Sequence, residues 1–115
     1  MDRNVTIGNA TKASDQNYSI KAAGDAGYTI LDTDKYDLVT VAPATARTIT
    51  LPTVADNTNR ILTIMNINGT DTVTVDGEGA ETINGGSVQT LTAIYDFITI
   101  VSSGTEWLIL GSQQT

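Results

Sequence analysis

The chain of 115 residues predicts an all-β fold, an antiparallel β-sandwich or jelly-roll-like barrel of about eight to nine short strands with an extended N-terminal arm. Three observations carry that expectation. Twenty Thr, eight Asn, six Ser and ten Gly accompany a charged fraction of only 17%, and β-branched side chains lose less freedom on a strand than in a helix. From Tyr28 onward, short apolar runs alternate with turn residues at the spacing of sandwiches and barrels. No stretch of ten residues has the period of an amphipathic helix.

Residues 1–27 are small, polar and mixed, with Asn4, Asn9, Asn17, Lys12 and Lys21 breaking every apolar pair before it repeats. They read as an N-terminal arm, a docking segment ordered only where it lies on something else, with a short strand at residues 4–7. A leader without a role is the alternative. Residues 28–115 form the sandwich domain. Its expected strands are 28–31, 36–41, 47–51, 60–67, 72–76, 81–83, 88–92, 96–102 and 105–110. Asn68-Gly69 reads as a two-residue hairpin between 60–67 and 72–76, because a type I′ turn needs positive φ at both central positions. Asp76-Gly77-Glu78-Gly79, Asn84-Gly85-Gly86 and Ser103-Gly104 are further turns. Pro43 and Pro52 end strands because proline cannot donate to a ladder.

The faces of these strands differ. Ile49, Leu51, Val73 and Val75 oppose Thr48, Thr50, Thr72 and Thr74, the pattern of strands with one wet face. In 60–67, by contrast, Ile61, Met65 and Ile67 oppose Leu62 and Ile64; Phe97 and Val101 oppose Ile98 and Ile100; Trp107 and Ile109 oppose Leu108 and Leu110. A two-layer sandwich covers one face of each sheet, so the second apolar face needs the arm, a loop or a neighbouring subunit as cover. A central strand of a barrel-like core is the alternative. A neighbouring subunit is the expectation, with Leu62, Ile64, Ile98, Ile100 and Leu108 as the contact residues.

The absence of Cys and His removes disulfides, thiolate or imidazole metal sites, Cys nucleophiles and Ser-His-Asp arrangements. A formal charge of −7 repels phosphate backbones and anionic headgroups, which argues against nucleic acid and membrane partners. No apolar run approaches the roughly 20 residues that span a bilayer. Residues 1–10 lack the basic start and apolar centre of a secretory signal, so the expectation is a soluble chain with no export signal of its own. Asp32, Asp34 and Asp37 have the odd spacing that opens a calcium loop, but neither the Gly at its sixth position nor the Glu at its twelfth, where Pro43 stands. Asp76, Glu78 and Glu81 surround two glycines and read as a solvated turn. Two carboxylates suffice for glycoside cleavage, but the acid needs a pocket that raises its pKa, and nothing marks one. No catalytic residue, metal or cofactor is expected. Asn4, Asn9, Asn17 and Asn68 open Asn-X-Ser/Thr triplets that chance supplies in so Asn- and Thr-rich a chain. Tyr36, Tyr95 and Trp107, with Tyr28, are the aromatic side chains able to stack on a glycan. Burial within an apolar strand is the competing use of Trp107.

In order, Thr48-Ile49-Thr50-Leu51-Pro52, Asn59-Arg60-Ile61-Leu62-Thr63-Ile64, Asn68-Gly69-Thr70-Asp71-Thr72-Val73-Thr74-Val75-Asp76-Gly77, Glu81-Thr82-Ile83-Asn84-Gly85-Gly86 and Ile100-Val101-Ser102-Ser103-Gly104-Thr105-Glu106-Trp107-Leu108-Ile109 resemble a β-sandwich module of tailed bacteriophages. The module recurs in tail fibres, baseplate accessory proteins and head decorations. The resemblance spans residues 28–110. It implies a structural virion protein, usually a homotrimer, assembled in the bacterial host cytoplasm and without catalytic residues. One module with an arm favours a small capsid decoration or head-fibre protein, docked on a capsid or tail protein, over a long receptor-binding fibre. A tail-associated adhesin module that binds host surface glycan is the alternative. If the contact residues are those named above, Ile64→Asp or Ile98→Asp converts the trimer to a monomer or aggregate, which light scattering reads.

Overall fold

Along residues 61–66 the side chains alternate between fully buried and partly exposed, the period-2 signature of a strand with one face in a core. The same alternation organises the rest of the computed structural model, which describes residues 19–115. Nine strands appear: β1 (Ile20–Gly24), β2 (Tyr28–Thr29), β3 (Leu38–Val41), β4 (Arg47–Thr50), β5 (Ile61–Asn66), β6 (Val73–Asp76), β7 (Val88–Leu91), β8 (Phe97–Ser102) and β9 (Trp107–Gln113). A 3₁₀ turn, Ala55–Asn57, precedes β5. The strands form two sheets, a five-stranded one in the order β9-β8-β5-β3-β1 and a four-stranded one in the order β2-β4-β6-β7. Between them lies one apolar core that includes Val39, Val41, Ile49, Leu62, Ile64, Val73, Val75, Leu91, Ile98, Ile100 and Trp107.

The all-β sandwich expected from composition is present. Its sheets, however, are mixed and not antiparallel. β1, β3 and β5 run parallel to one another, as do β2, β4 and β6. From β1 to β6 the chain crosses from one sheet to the other after each strand, so successive visits to a sheet run the same way and these six strands wind as three stacked coils. Antiparallel pairing begins only after β6, with β7 on β6, β8 on β5 and β9 on β8. One wet face suggested antiparallel sheets because parallel strands are usually covered on both faces by crossover helices. Here the crossover element is a strand of the opposite sheet.

The winding also corrects three local expectations. Asn68-Gly69 does not close a hairpin: it lies at the corner where the chain leaves β5 in one sheet for β6 in the other. Gly69 has φ +75°, and a Cβ there would stand 2.5 Å from Ile94 N, so the corner requires glycine. The segment 81–83 is not a ladder strand, since Ile83 makes only isolated bridges to Gly86 and Trp107. The expected arm, residues 1–27, ends too late: β1 and the corner after it belong to the sandwich, with Ile20–Gly24 paired to Leu38–Val41. Residues 1–18, including the short strand expected at residues 4–7, lie outside the described residues.

Buried polar side chains hold the corners. Asn66 is fully buried, and its carboxamide is fully engaged. Oδ1 accepts from the N–H groups of Asn68 (3.1 Å) and Gly69 (2.8 Å), while Nδ2 donates to Asp71 O (3.1 Å) and Leu91 O (3.0 Å). Neighbouring corners are stitched together as well: Ala44 N and Arg47 Nε donate to Asp25 Oδ1 at 2.8 and 2.9 Å, and Asn68 Nδ2 donates to Pro43 O at 3.3 Å. Asn66→Ala leaves the N–H groups of Asn68 and Gly69 and the C=O groups of Asp71 and Leu91 without this partner, and is expected to cost about 2–4 kcal/mol. Urea unfolding checks it; a loss below about 0.5 kcal/mol would show that water replaces the carboxamide at no cost.

Candidate functional site

Leu62, Ile64, Ile98 and Ile100 point into the space between the sheets and are fully buried in the single chain. They are core residues and not subunit contacts, which corrects the expectation for four of the five named residues. Their alternation was read correctly, but the face assigned to a neighbour is the one that packs on the second sheet. Leu108, the fifth, is on the opposite face at 38% exposure. Ile64→Asp and Ile98→Asp are therefore expected to unfold the chain, because a charge placed in a fully buried apolar site has no partner.

The three candidate glycan residues do not converge. Trp107 is 0% exposed and packs in the core, so it offers no stacking surface. Among the described residues, its Nε1 is the buried side-chain polar atom that finds no hydrogen-bond partner. Tyr95 is 60% exposed with φ +68°, and its N–H donates to Asn66 O, which places it at the corner end of β5. Tyr36 lies at the other end of that strand, beside Arg60, whose Nη2 donates to Tyr36 O at 3.3 Å. The six residues of β5 separate the two tyrosines by roughly 20 Å.

Tyr36 lines a groove of about 520 Å³ whose rim includes Asp32, Asp34, Asp37, Asp56, Asn57 and Arg60. The groove forms where the return loop from β2 to β3 stacks on the return loop from β4 to β5. Asp32 and Arg60 join the two loops, and Asp34 and Asp37 brace the first loop on itself, on β2 and on Ser19. Asp32 Oδ1 accepts from Asn57 Nδ2 (2.9 Å), Thr53 Oγ1 (3.1 Å) and Thr53 N (3.3 Å). Asp34 Oδ2 accepts from Tyr28 OH (2.8 Å) and Leu31 N (2.9 Å), and Asp37 Oδ2 from Ser19 N (3.0 Å). Arg60 Nη1 donates to Asn57 Oδ1 at 2.9 Å and to Leu31 O at 3.4 Å. The Asn57 amide holds Asp32 below the ordinary carboxylate range, and the Leu31 N–H, then the Tyr28 hydroxyl, do the same for Asp34. The bond to Asp34, with burial second, pushes the Tyr28 hydroxyl up to about 12. Asp32 and Asp34 are thus tuned as anions that accept hydrogen bonds, opposite to the raised pKa a proton-donating carboxylic acid needs. Glu81, read from sequence as part of a solvated turn, accepts from Val54 N at 3.1 Å and ties the next loop to the stack.

Asp96, which the sequence reading passed over, is the corresponding anchor at the opposite end. It is fully buried. Its carboxylate accepts from the N–H groups of Thr92 (3.2 Å), Ala93 (3.1 Å) and Thr115 (2.9 Å) and from Thr115 Oγ1 (2.8 Å). Burial pushes its pKa up, but these bonds, led by the Thr115 N–H, outweigh it and hold the group down at about 2. The signal was present in the alternation: Asp96, Ile98, Ile100 and Ser102 share the inward face, and an acid at an inward position must be hydrogen-bonded.

The two outward sheet faces differ sharply. On the four-stranded sheet the outward positions carry Thr29, Thr48, Thr50, Thr74, Asp76, Val88 and Thr90, read from the registers of β2, β4, β6 and β7. On the five-stranded sheet the outward rows are Ile61, Val101 and Leu108; Leu38, Thr63 and Thr99; and Thr40, Met65 and Phe97. Ile20 and Ala22 extend them onto β1. Ile20, Ile61 and Leu110 are each more than half exposed, and no outward residue of these five strands is charged.

Because the folded-state pKa of Asp96 lies below the ordinary value of 3.8, its stabilisation is complete above about pH 4 and is lost as pH falls toward 2. Urea midpoints measured across that range should fall for the wild type, with a shallower fall for Asp96→Asn, which starts less stable at neutral pH. Parallel pH profiles would assign the acid sensitivity to the other carboxylates instead. No protein-family model matches the chain, and no curated protein matches it in sequence.

Proposed function

We propose that the chain is a structural virion protein of a tailed bacteriophage, a small homotrimeric capsid decoration or head-fibre protein that docks on the shell through its N-terminal residues. Assembly takes place in the bacterial host cytoplasm and the working location is the virion. The resemblance over residues 28–110 supports this reading. The observation that carries it is that the polar side chains gathered at the groove and corners are engaged in the fold: Asp32, Asp34, Asp37, Glu81 and Asp96 all accept backbone N–H groups. Such a molecule is built to be a rigid, acid-rich body.

The test is rebinding to phage particles that lack the protein. The full chain is expected to bind with trimer stoichiometry, and a chain lacking residues 1–18 to remain folded but unbound. Truncation stops before β1, because residues 20–24 form part of a sheet. Particles that bind the truncated chain as well as the full one would remove the docking role of the N-terminal residues; particles that bind neither would remove the capsid role.

The groove at Tyr36 favours a second reading, a tail-associated adhesin that binds host surface glycan. It has the size of a small-ligand site and an aromatic wall beside amide groups. On a glycan array this reading expects binding that disappears in Tyr36→Ala without unfolding, and Trp107, being in the core, is no longer a useful probe.

A further inference from the structure

Building on the homotrimer reading, we propose that the outward face of the five-stranded sheet is where a second copy of this chain seats. An exposed sheet face alternates with the core face, and in a lone soluble chain it carries polar and charged residues. Here the outward rows carry Ile61, Val101, Leu108, Met65 and Phe97 around a central Thr63–Thr99 pair, whose hydroxyls hydrogen-bond each other at 2.9 Å.

Charge and area both select a second copy as the occupant. Each chain has a formal charge of −7, so two copies meet with least repulsion through a face that carries no charge. The opposite sheet is a poorer contact, since it presents threonines and Asp76, with Val88 as its apolar outward side chain. Five strands spaced about 4.8 Å apart and about six residues long make a face of roughly 500 Å², so two copies bury roughly 1,000 Å² together. That exceeds most adventitious packing contacts and reaches the lower range of specific interfaces. Residues 1–18 are a poorer cover by composition: beyond Met1, Val5, Ile7 and Tyr18 they offer small, polar or charged side chains.

Light scattering on the purified full chain and four variants tests the assignment. The paired variant Ile61→Lys, Leu108→Lys alters one end of the face, and Thr99→Arg alters its centre. Thr48→Lys and Thr74→Lys on the other sheet are the controls. These positions are outward, so the new charges stay in water in a separated chain, and circular dichroism verifies folding. The wild type and both controls are expected to run as multiples of the 12.1 kDa subunit. The paired variant and Thr99→Arg should run as folded monomers, with association weakened roughly 100-fold. A wild-type oligomer whose mass survives both face variants overturns the assignment of this face and leaves the virion reading standing. A monomeric wild type overturns the self-contact itself, whether residues 1–18 or a different protein is the cover, and rebinding to particles then judges the virion reading separately.

Discussion

Each crossing between the two sheets takes backbone N–H groups out of a ladder, and the fold depends on giving those groups acceptors. Backbone carbonyls take many of them, and carboxylates at the corners, loops and chain end take others. Asp25 takes the Ala44 N–H, Asp32 that of Thr53, Glu81 that of Val54, Glu106 that of Gly85, and Asp96 those of Thr92, Ala93 and Thr115. Asn66 serves the corner after β5 with a neutral amide. An anionic acceptor makes a shorter, stronger bond than a neutral one, and an unpaired backbone group at a buried corner costs about as much as a lost hydrogen bond. The acid excess of the chain is thus largely architectural. Partner steering follows from it only as a side effect.

The same accounting explains why the ends and faces of the molecule differ in character. Acidic groups collect at the corners and return loops, where there are N–H groups to receive. The middles of the strands, where the ladders satisfy the backbone, need no charge at all. On the four-stranded sheet those middle positions carry threonines on the outside; on the five-stranded sheet a central Thr63–Thr99 pair is flanked by aliphatic and aromatic side chains. Of the two cations within strands, Arg47 turns its guanidinium to Asp25 at the corner, 2.9 Å away, and Lys21 places its Nζ 5.0 Å from the centre of the Tyr28 ring.

Much of this was legible in the sequence. Strands from Tyr28 onward fall within or close to the expected segments because period-2 alternation and turn residues mark them independently of topology. β1 was missed because Lys21, Ala22 and Ala23 carry too little apolar signal, and it is held by the ladder to β3 and not by its own burial. Parallel winding was invisible to local pattern, since register between Ile20 and Leu38 or between Arg47 and Val73 is a tertiary fact. At Asn68-Gly69 the local hairpin propensity lost to the requirement that Val73 and Val75 join the other sheet. For the two-faced strands, alternation separates the faces but cannot say which one meets the second sheet. Leu62, Ile64, Ile98 and Ile100 took the core, while Ile61, Val101 and Leu108, also β-branched or Leu, face outward.

Stacked coils have a consequence for how the chain reaches its fold. Contacts within the β8–β9 hairpin close across a short turn, whereas the parallel rungs, such as Ile20 on Leu38 or Arg47 on Val73, join residues 17 to 26 positions apart, a separation whose closure entropy precedes any gain from pairing. The β5–β8 ladder closes a longer span still, 32 positions at Met65 on Phe97 and 40 at Ile61 on Val101, so closure entropy falls most heavily on the join between the parallel coils and the C-terminal hairpin. β1 stands at the edge of its sheet and is held by β3 alone, so amide exchange should be fastest there and slowest in β5 and β8, which have ladders on both sides.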